Sequence, residues 1–148
     1  MKRFLLLLAV AGAAAAFLAW PRINLVETGR TPEYPDLQPR EYAAGEQRVT
    51  EAVKAAAGRL SRFTFLGSGR GPGGSEVHYV ASTLVLRLKD DVNVRIRREG
   101  GKTKVTVRSK SRMGTMDFGQ NARNVRELLG ELDREMGSQN SPPQERGR

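Results

Sequence analysis

The sequence predicts an α+β domain: about four antiparallel strands in one sheet, two helices packed on one face, in the order α-β-β-β-β-α. Three observations predict it. Val92, Val94 and Ile96, then Val105 and Val107, alternate with polar residues on either side of Gly100-Gly101, a two-residue hairpin signal. Before the strands, Val49, Ala52, Val53, Ala56 and Leu60 recur at helical spacing; after them, Phe118, Ala122, Val125, Leu129, Leu132 and Met136 do the same. The chain has 148 residues and no cysteine, so a modest core must be stabilised by packing alone.

An apolar helix precedes this domain. Lys2 and Arg3 are followed by an uncharged run over residues 4–20. At ~1.5 Å per residue it reaches about 25 Å, the short end of a bilayer span. The two cations favour a cytoplasmic N-terminus and an extracytoplasmic domain in the cell membrane, with Trp20 at the far interface. The alternative is a signal peptide cut near Ala14-Ala15-Ala16, leaving a periplasmic or secreted protein. That cut falls inside the apolar run and would expose Phe17 and Trp20, so a retained single-pass anchor is the favoured reading. Residues 21–40 carry four prolines and read as an extended spacer. The domain then covers 41–136, and 137–148, with Pro142-Pro143, reads as a disordered polar tail.

Within the domain the first helix is expected over 42–60 and a strand over 62–66, with Phe63 and Phe65 alternating. A flexible Gly-rich loop over 67–74 follows, then strands over 76–88, 91–98 and 103–112. The Gly100-Gly101 turn sets Ile96 opposite Val105, Val94 opposite Val107 and Val92 opposite Ser109. A three-residue loop, Lys89-Asp90-Asp91, would set Leu88, Leu86 and Leu84 opposite Val92, Val94 and Ile96. The last helix starts near Gly119 and is expected to stop at Gly137.

This register decides sides. Ser109 and Ser111 point toward the helices; Arg108, Lys110 and Arg112 point away with Lys104, Arg95 and Arg97, making a basic sheet face. Asp117 is positioned to cap the last helix and to pair with Arg112. Two readings of this joint stay open. In one, Arg108, Arg112, the serine hydroxyls, Asn121 and the helix N-terminus hold an anion or small polar ligand. In the other, Asp117, Asn121 and the serines form a structural latch. Asp90-Asp91 reads first as a turn, with Asp90 solvated and Asp91 paired to Lys110 or Arg108, and second as a carboxylate pair for acid–base work or for a cation.

The stretches "KDDVNVRI" and "VTVRSKSRMGTMDFGQNARNVRELLGEL" carry a resemblance. They are similar to the bacterial family catalogued as domain of unknown function 1499, whose members show an Asp-Asp strand start, then V-R-S-x-S-R-x-G, then D-[LF]-G-x-N and a basic residue. The matching positions are Asp90, Asp91, Arg108, Ser109, Ser111, Arg112, Gly114, Asp117, Gly119, Asn121 and Arg123. Many relatives carry a Cys-containing segment early in the domain; this chain has none. The resemblance implies a fold and a patch of candidate ligand-binding residues, and no reaction.

Other signals are weaker. "GRGPGG" matches G-x-G-x-x-G but is followed by a β pattern, and Asp117-Phe118-Gly119 stands without the other kinase elements. His78 is the only histidine and has no local nucleophile, so it reads as a strand-surface residue. No metal site and no cofactor is expected. The formal net charge of +9 favours anionic partners, but a face without interleaved aromatics argues against nucleic acid. The leading expectation is a membrane-tethered, non-catalytic binding or interaction module of the cell envelope. Its partners would be the membrane through residues 4–20 and either an anionic lipid or an envelope protein. The alternatives are an enzyme on an anionic envelope substrate, using Asp117 or Asp91 with Arg108 and Arg112, and an accessory subunit of a membrane complex.

Overall fold

The structure, a computed structural model, describes residues 1–19, 22–83, 87–115 and 117–139. In chain order the elements are α1 (Lys2–Ala19), β1 (Leu25–Glu27), β2 (Arg40–Tyr42), α2 (Glu46–Gly58), β3 (Phe63–Gly71), β4 (Gly74–Ser82), β5 (Lys89–Glu99), β6 (Lys102–Ser111) and α3 (Gln120–Gln139). The strands form one antiparallel sheet in the order β1-β6-β5-β4-β3, with β2 also paired to β6. α2 packs against β4 and β5, α3 against β6, β5 and β1, and the two helices against each other. The α+β class is therefore as predicted, with two short strands added at one edge.

The β5–β6 hairpin has the predicted register: Ile96 faces Val105, Val94 faces Val107, Val92 faces Ser109 and Asn93 faces Arg108. A one-residue slip would carry each valine to solvent, so burial of this face pins the pairing. The core between sheet and helices contains Val77, Val92, Val94, Ile96, Val105 and Val107 from the strands. The helices add Val49, Val53 and Ala56, then Val125, Leu128, Leu129 and Leu132.

Several expectations are corrected. Residues 21–40 are not a plain spacer: Val26 and Leu37 are core residues, and β1 and β2 lie in tandem along the edge of β6. Between them Thr28 Oγ1 accepts the Val107 N–H at 3.1 Å, filling the gap in the ladder. The first helix begins at Glu46, because Tyr42 belongs to β2. The Gly-rich segment is not a loop. β3 runs to Gly71, and Pro72-Gly73 turns directly into β4, where a Cβ on Gly74 (φ +107) would collide with the Ile96 carbonyl.

The β4–β5 hairpin also differs. Ala81 faces Asp90, Val80 faces Asp91 and Tyr79 faces Val92. Asp90-Asp91 is thus strand, not turn. Leu88 is exposed, and Leu84 and Leu86 lie outside the described residues. Phe118 precedes α3 with φ +51 and is exposed, so it is not part of the core stripe. α3 continues past Gly137 to Gln139; the expected tail from 140 on lies outside the described residues.

Among the described side chains α1 contributes none to the hydrophobic core, and Leu5, Leu6, Leu8, Val10 and Leu18 are exposed. Among the described residues no helix is long and apolar enough to cross a membrane. The anchor read from the sequence includes Trp20, which lies outside them.

If residues 21–40 are part of the fold, Leu37→Ala should destabilise the protein by on the order of 3 kcal/mol, since it leaves a cavity at a fully packed site. Chemical denaturation measures this; a plain spacer would give no change.

Candidate functional site

The inward side of β6 carries Ser109 and, one pleat further, Ser111. α3 crosses above them with Asn121 and Asn124, which share a helix face because they are three residues apart. Ser109 Oγ donates to Asn121 Oδ1 at 2.6 Å, and Asn124 Nδ2 donates to Ser109 Oγ at 3.2 Å. Ser111 Oγ donates to Asp90 Oδ1 at 2.9 Å, and Asn124 Nδ2 donates to Asp90 Oδ2 at 2.8 Å. Asn121 Nδ2 donates to Ser111 Oγ and to the Asn24 carbonyl, both at 2.9 Å. One network therefore joins β5, β6, α3 and the segment leading into β1. Ser109, Asn121 and Asn124 are 0 % exposed and Asp90 is 2 % exposed, so each polar atom needs these partners.

Arg62, just before β3, extends the network. Its Nη1 donates to Asn124 Oδ1 at 3.2 Å, and its guanidinium pairs with Glu127. Burial pushes the Asp90 carboxyl above its usual range and nearby Asp117 adds to this, while the Asn124 and Ser111 hydrogen bonds and Arg62 oppose it. The Asp117 side chain accepts the Gly119 N–H at 3.0 Å and the Asn121 N–H at 2.7 Å, so it caps α3 as predicted. It does not pair with Arg112. Arg112 instead forks onto Asp91, with Nη2 to Oδ1 at 2.6 Å and Nε to Oδ1 at 3.0 Å, across the exposed surface.

The sequence-derived site residues thus separate into groups. Asp90, Ser109, Ser111, Asp117 and Asn121 form the latch, in which the buried donors and acceptors satisfy one another. Asp91 and Arg112 form an exposed ion pair. Arg108 points outward from β6, whereas Arg123 lies on α3 on the other side of the sheet. Asp90 is buried, not solvated, and Asp91 is held by Arg112, not by Lys110 or Arg108. Sequence reasoning missed Asn124 and Arg62. Asn124 sits beside Val125 and Leu128 in an otherwise apolar face, a placement that asks for a buried partner.

The outward face is less basic than expected. Arg95 pairs with Glu76, Arg97 and Lys104 with Glu99, and Lys102 with Glu41. Among the described residues Arg108 and Lys110 make no ion pair. They line a groove of about 490 Å³ with His78, Asn93 and Asp91. There His78 Nδ1 lies 2.6 Å from Asn93 Oδ1. A second indentation of about 320 Å³ adjoins Glu27, Arg95, Arg97 and Glu99. Neither groove is lined by Asp90, Ser109, Ser111 or Asn121. Among the described residues no group of three or more His, Asp or Glu side chains could hold a metal ion.

A family profile described as "Protein of unknown function (DUF1499)" matches residues 14–132, which takes in the latch, the groove and the edge strands. The chain belongs to this family. No curated protein matches it. Among solved structures it is similar to CalU16 from Micromonospora echinospora, at 13 % identity and a TM-score of 0.40, over 68 % of this chain and 74 % of that one. It is also similar to TTHA0849 from Thermus thermophilus, at 15 % identity and a TM-score of 0.38, over 79 % of this chain and 99 % of that one.

In this DUF1499 domain Asp117→Ala should cost about 1 kcal/mol and lower the melting temperature by a few degrees, because two N–H groups at the start of α3, those of Gly119 and Asn121, lose their acceptor. The Asp90→Asn variant tests the buried carboxylate. Its raised native pKa means that the native state holds the proton more tightly than the unfolded state. Stability from this group is therefore full below the ordinary Asp range and is lost as pH rises through the native value. The stability of Asp90→Asn relative to the parent should accordingly rise between acid and neutral pH; thermal melts across that window measure it.

Proposed function

We propose that the protein is a membrane-tethered, non-catalytic binding module of the cell envelope, whose outward sheet face receives an anionic group at the Arg108–Lys110 groove. One observation carries the reading. These two cations project from alternate residues of β6 into the same groove, and among the described residues neither has a carboxylate of its own. A guanidinium and an ammonium on a rigid strand suit a phosphate or carboxylate, and the fold has already ordered the backbone that presents them.

The tether reading is supported by the uncharged run over residues 4–20 behind Lys2 and Arg3, and by the exposed apolar residues of α1. The same cation bias puts the N-terminus in the cytoplasm and the domain outside it. The non-catalytic reading is supported by the state of Asp90. Burial raises its proton affinity, yet both its oxygens are engaged and it is almost wholly inaccessible. A general acid or base must reach its substrate.

The full-length protein in phosphatidylcholine vesicles, titrated with a fluorescent glycerol-phosphate oligomer, tests the groove. The Arg108→Ala, Lys110→Ala double variant should bind about tenfold more weakly, a loss of ~1.4 kcal/mol. Equal binding by the two proteins sinks the proposal.

A further inference from the structure

The edge of the sheet where β1 begins has a composition unlike the rest of the surface. Outside α1 and Met1, the described large apolar side chains that stand exposed are Phe65, Leu66, Leu88, Met113 and Phe118. The last three share this rim, Met113 at 72 % and Phe118 at 54 % exposure. Hydrogen bonds tie the backbone beside Leu88 and Met113 together at this end: the Arg112 N–H donates to the Lys89 carbonyl at 3.0 Å, and Asn24 Nδ2 donates to the Gly114 carbonyl at 2.8 Å. Arg87 and Phe118 are also the described non-glycine residues with left-handed backbone, at φ 48 and 51, a conformation that costs free energy at a bulky side chain. At the opposite end, around Pro72-Gly73 and Gly100-Gly101, no described large apolar side chain is exposed.

Charge follows the same division. Arg87 and Lys89 are exposed on the rim and, among the described residues, make no ion pair; Lys110 continues the set onto the outward face. The neighbouring carboxylates are already engaged: Asp90 is buried, Asp91 is held by Arg112 and Asp117 caps α3. Exposed apolar side chains interspersed with unneutralised cations are what an anionic lipid–water interface stabilises. The apolar groups leave water, and the cations gain the negative surface potential.

Chain connectivity adds the decisive constraint. Residues 20–24 separate α1 from β1. Ile23 already packs on the core, and the Asn24 carbonyl already accepts the Ser111 N–H at 2.9 Å. Ala19 and Ile23 are four residue steps apart, so they can stand at most about 14 Å from each other.

We propose that this rim, built around Leu88, Met113 and Phe118, rests on the anionic headgroup layer of the bilayer that holds α1. The inference relies on the tether reading above and adds an orientation to it. The strands stand with their Ser111 end on the lipid and the Gly100-Gly101 turn farthest from it.

The absence of cysteine makes site-directed spin labelling direct. Val10→Cys, Leu88→Cys, Met113→Cys and Gly101→Cys, each in the full-length chain, are labelled in vesicles of equal parts phosphatidylcholine and phosphatidylglycerol. Collisions with a water-soluble relaxation agent are then compared. The labels at 88 and 113 should be shielded about threefold or more relative to the label at 101, with the label at 10 in lipid. If the label at 10 is in lipid but 88 and 113 are as accessible as 101, the rim contact is wrong and the tether stands. If the label at 10 is in water, both fall. Shielding that persists unchanged in pure phosphatidylcholine overturns the anionic part of the proposal.

Discussion

The hydrogen bonds that Asn124 and Ser111 give to the buried Asp90 carboxylate are the constraint on which the rest of this structure depends. A carboxylate taken out of water is costly unless donors replace its hydration, and here they come from α3 and β6 at once. Asn121 ties the same cluster to the carbonyl that precedes β1. The register of β5 against β6, already pinned by burial of the valine face, is joined to the position of α3 and the docking of the N-terminal edge by one connected group of polar atoms. In a low-dielectric interior such a group is unforgiving, because each member left unpaired carries its full desolvation cost. That explains why the joint is polar even though the surrounding core is built of valine and leucine.

Fixing the inward side of β6 also fixes what points outward. With Ser109 turned in, Arg108 and Lys110 must turn out. Most cations on that face meet a carboxylate across the strands or beside them, and exposed pairs of this kind contribute little to stability. Their larger effect is on the field they cancel. The positive potential that a count of lysine and arginine would spread over the sheet is narrowed to the Arg108–Lys110 groove and to the rim near Lys89.

Much of this was legible in the sequence. The β5–β6 register followed from alternation and a Gly-Gly turn, both local signals, and the stripe from Ala122 to Met136 followed from helical spacing. The Asp117 cap was legible for the same reason. Two of the misreadings share a cause. Asp90-Asp91 looked like a turn because aspartate prefers turns, but partners more than twenty residues away hold Asp90 inside. Proline density made residues 21–40 look like a spacer, yet Val26 and Leu37 are buried in short segments that no periodicity could reveal. Phe118 continues the apolar spacing of α3 by one step, but it falls before the helix begins. For Asp90 and for residues 21–40, long-range contacts outweighed local preference.

β3 closes the sheet on the side away from β1 and β2, so among the described residues its outer ladder groups have no strand neighbour. The register shift between Phe65 and Gly67 breaks that ladder near its middle, and beyond it glycine alternates at 67, 69 and 71. An approaching strand would meet a ladder interrupted near its middle, as a bulged edge presents. Copies of the chain are thereby discouraged from pairing edge to edge into a continuous ribbon, and Arg70 adds a charge along the far stretch of the same border.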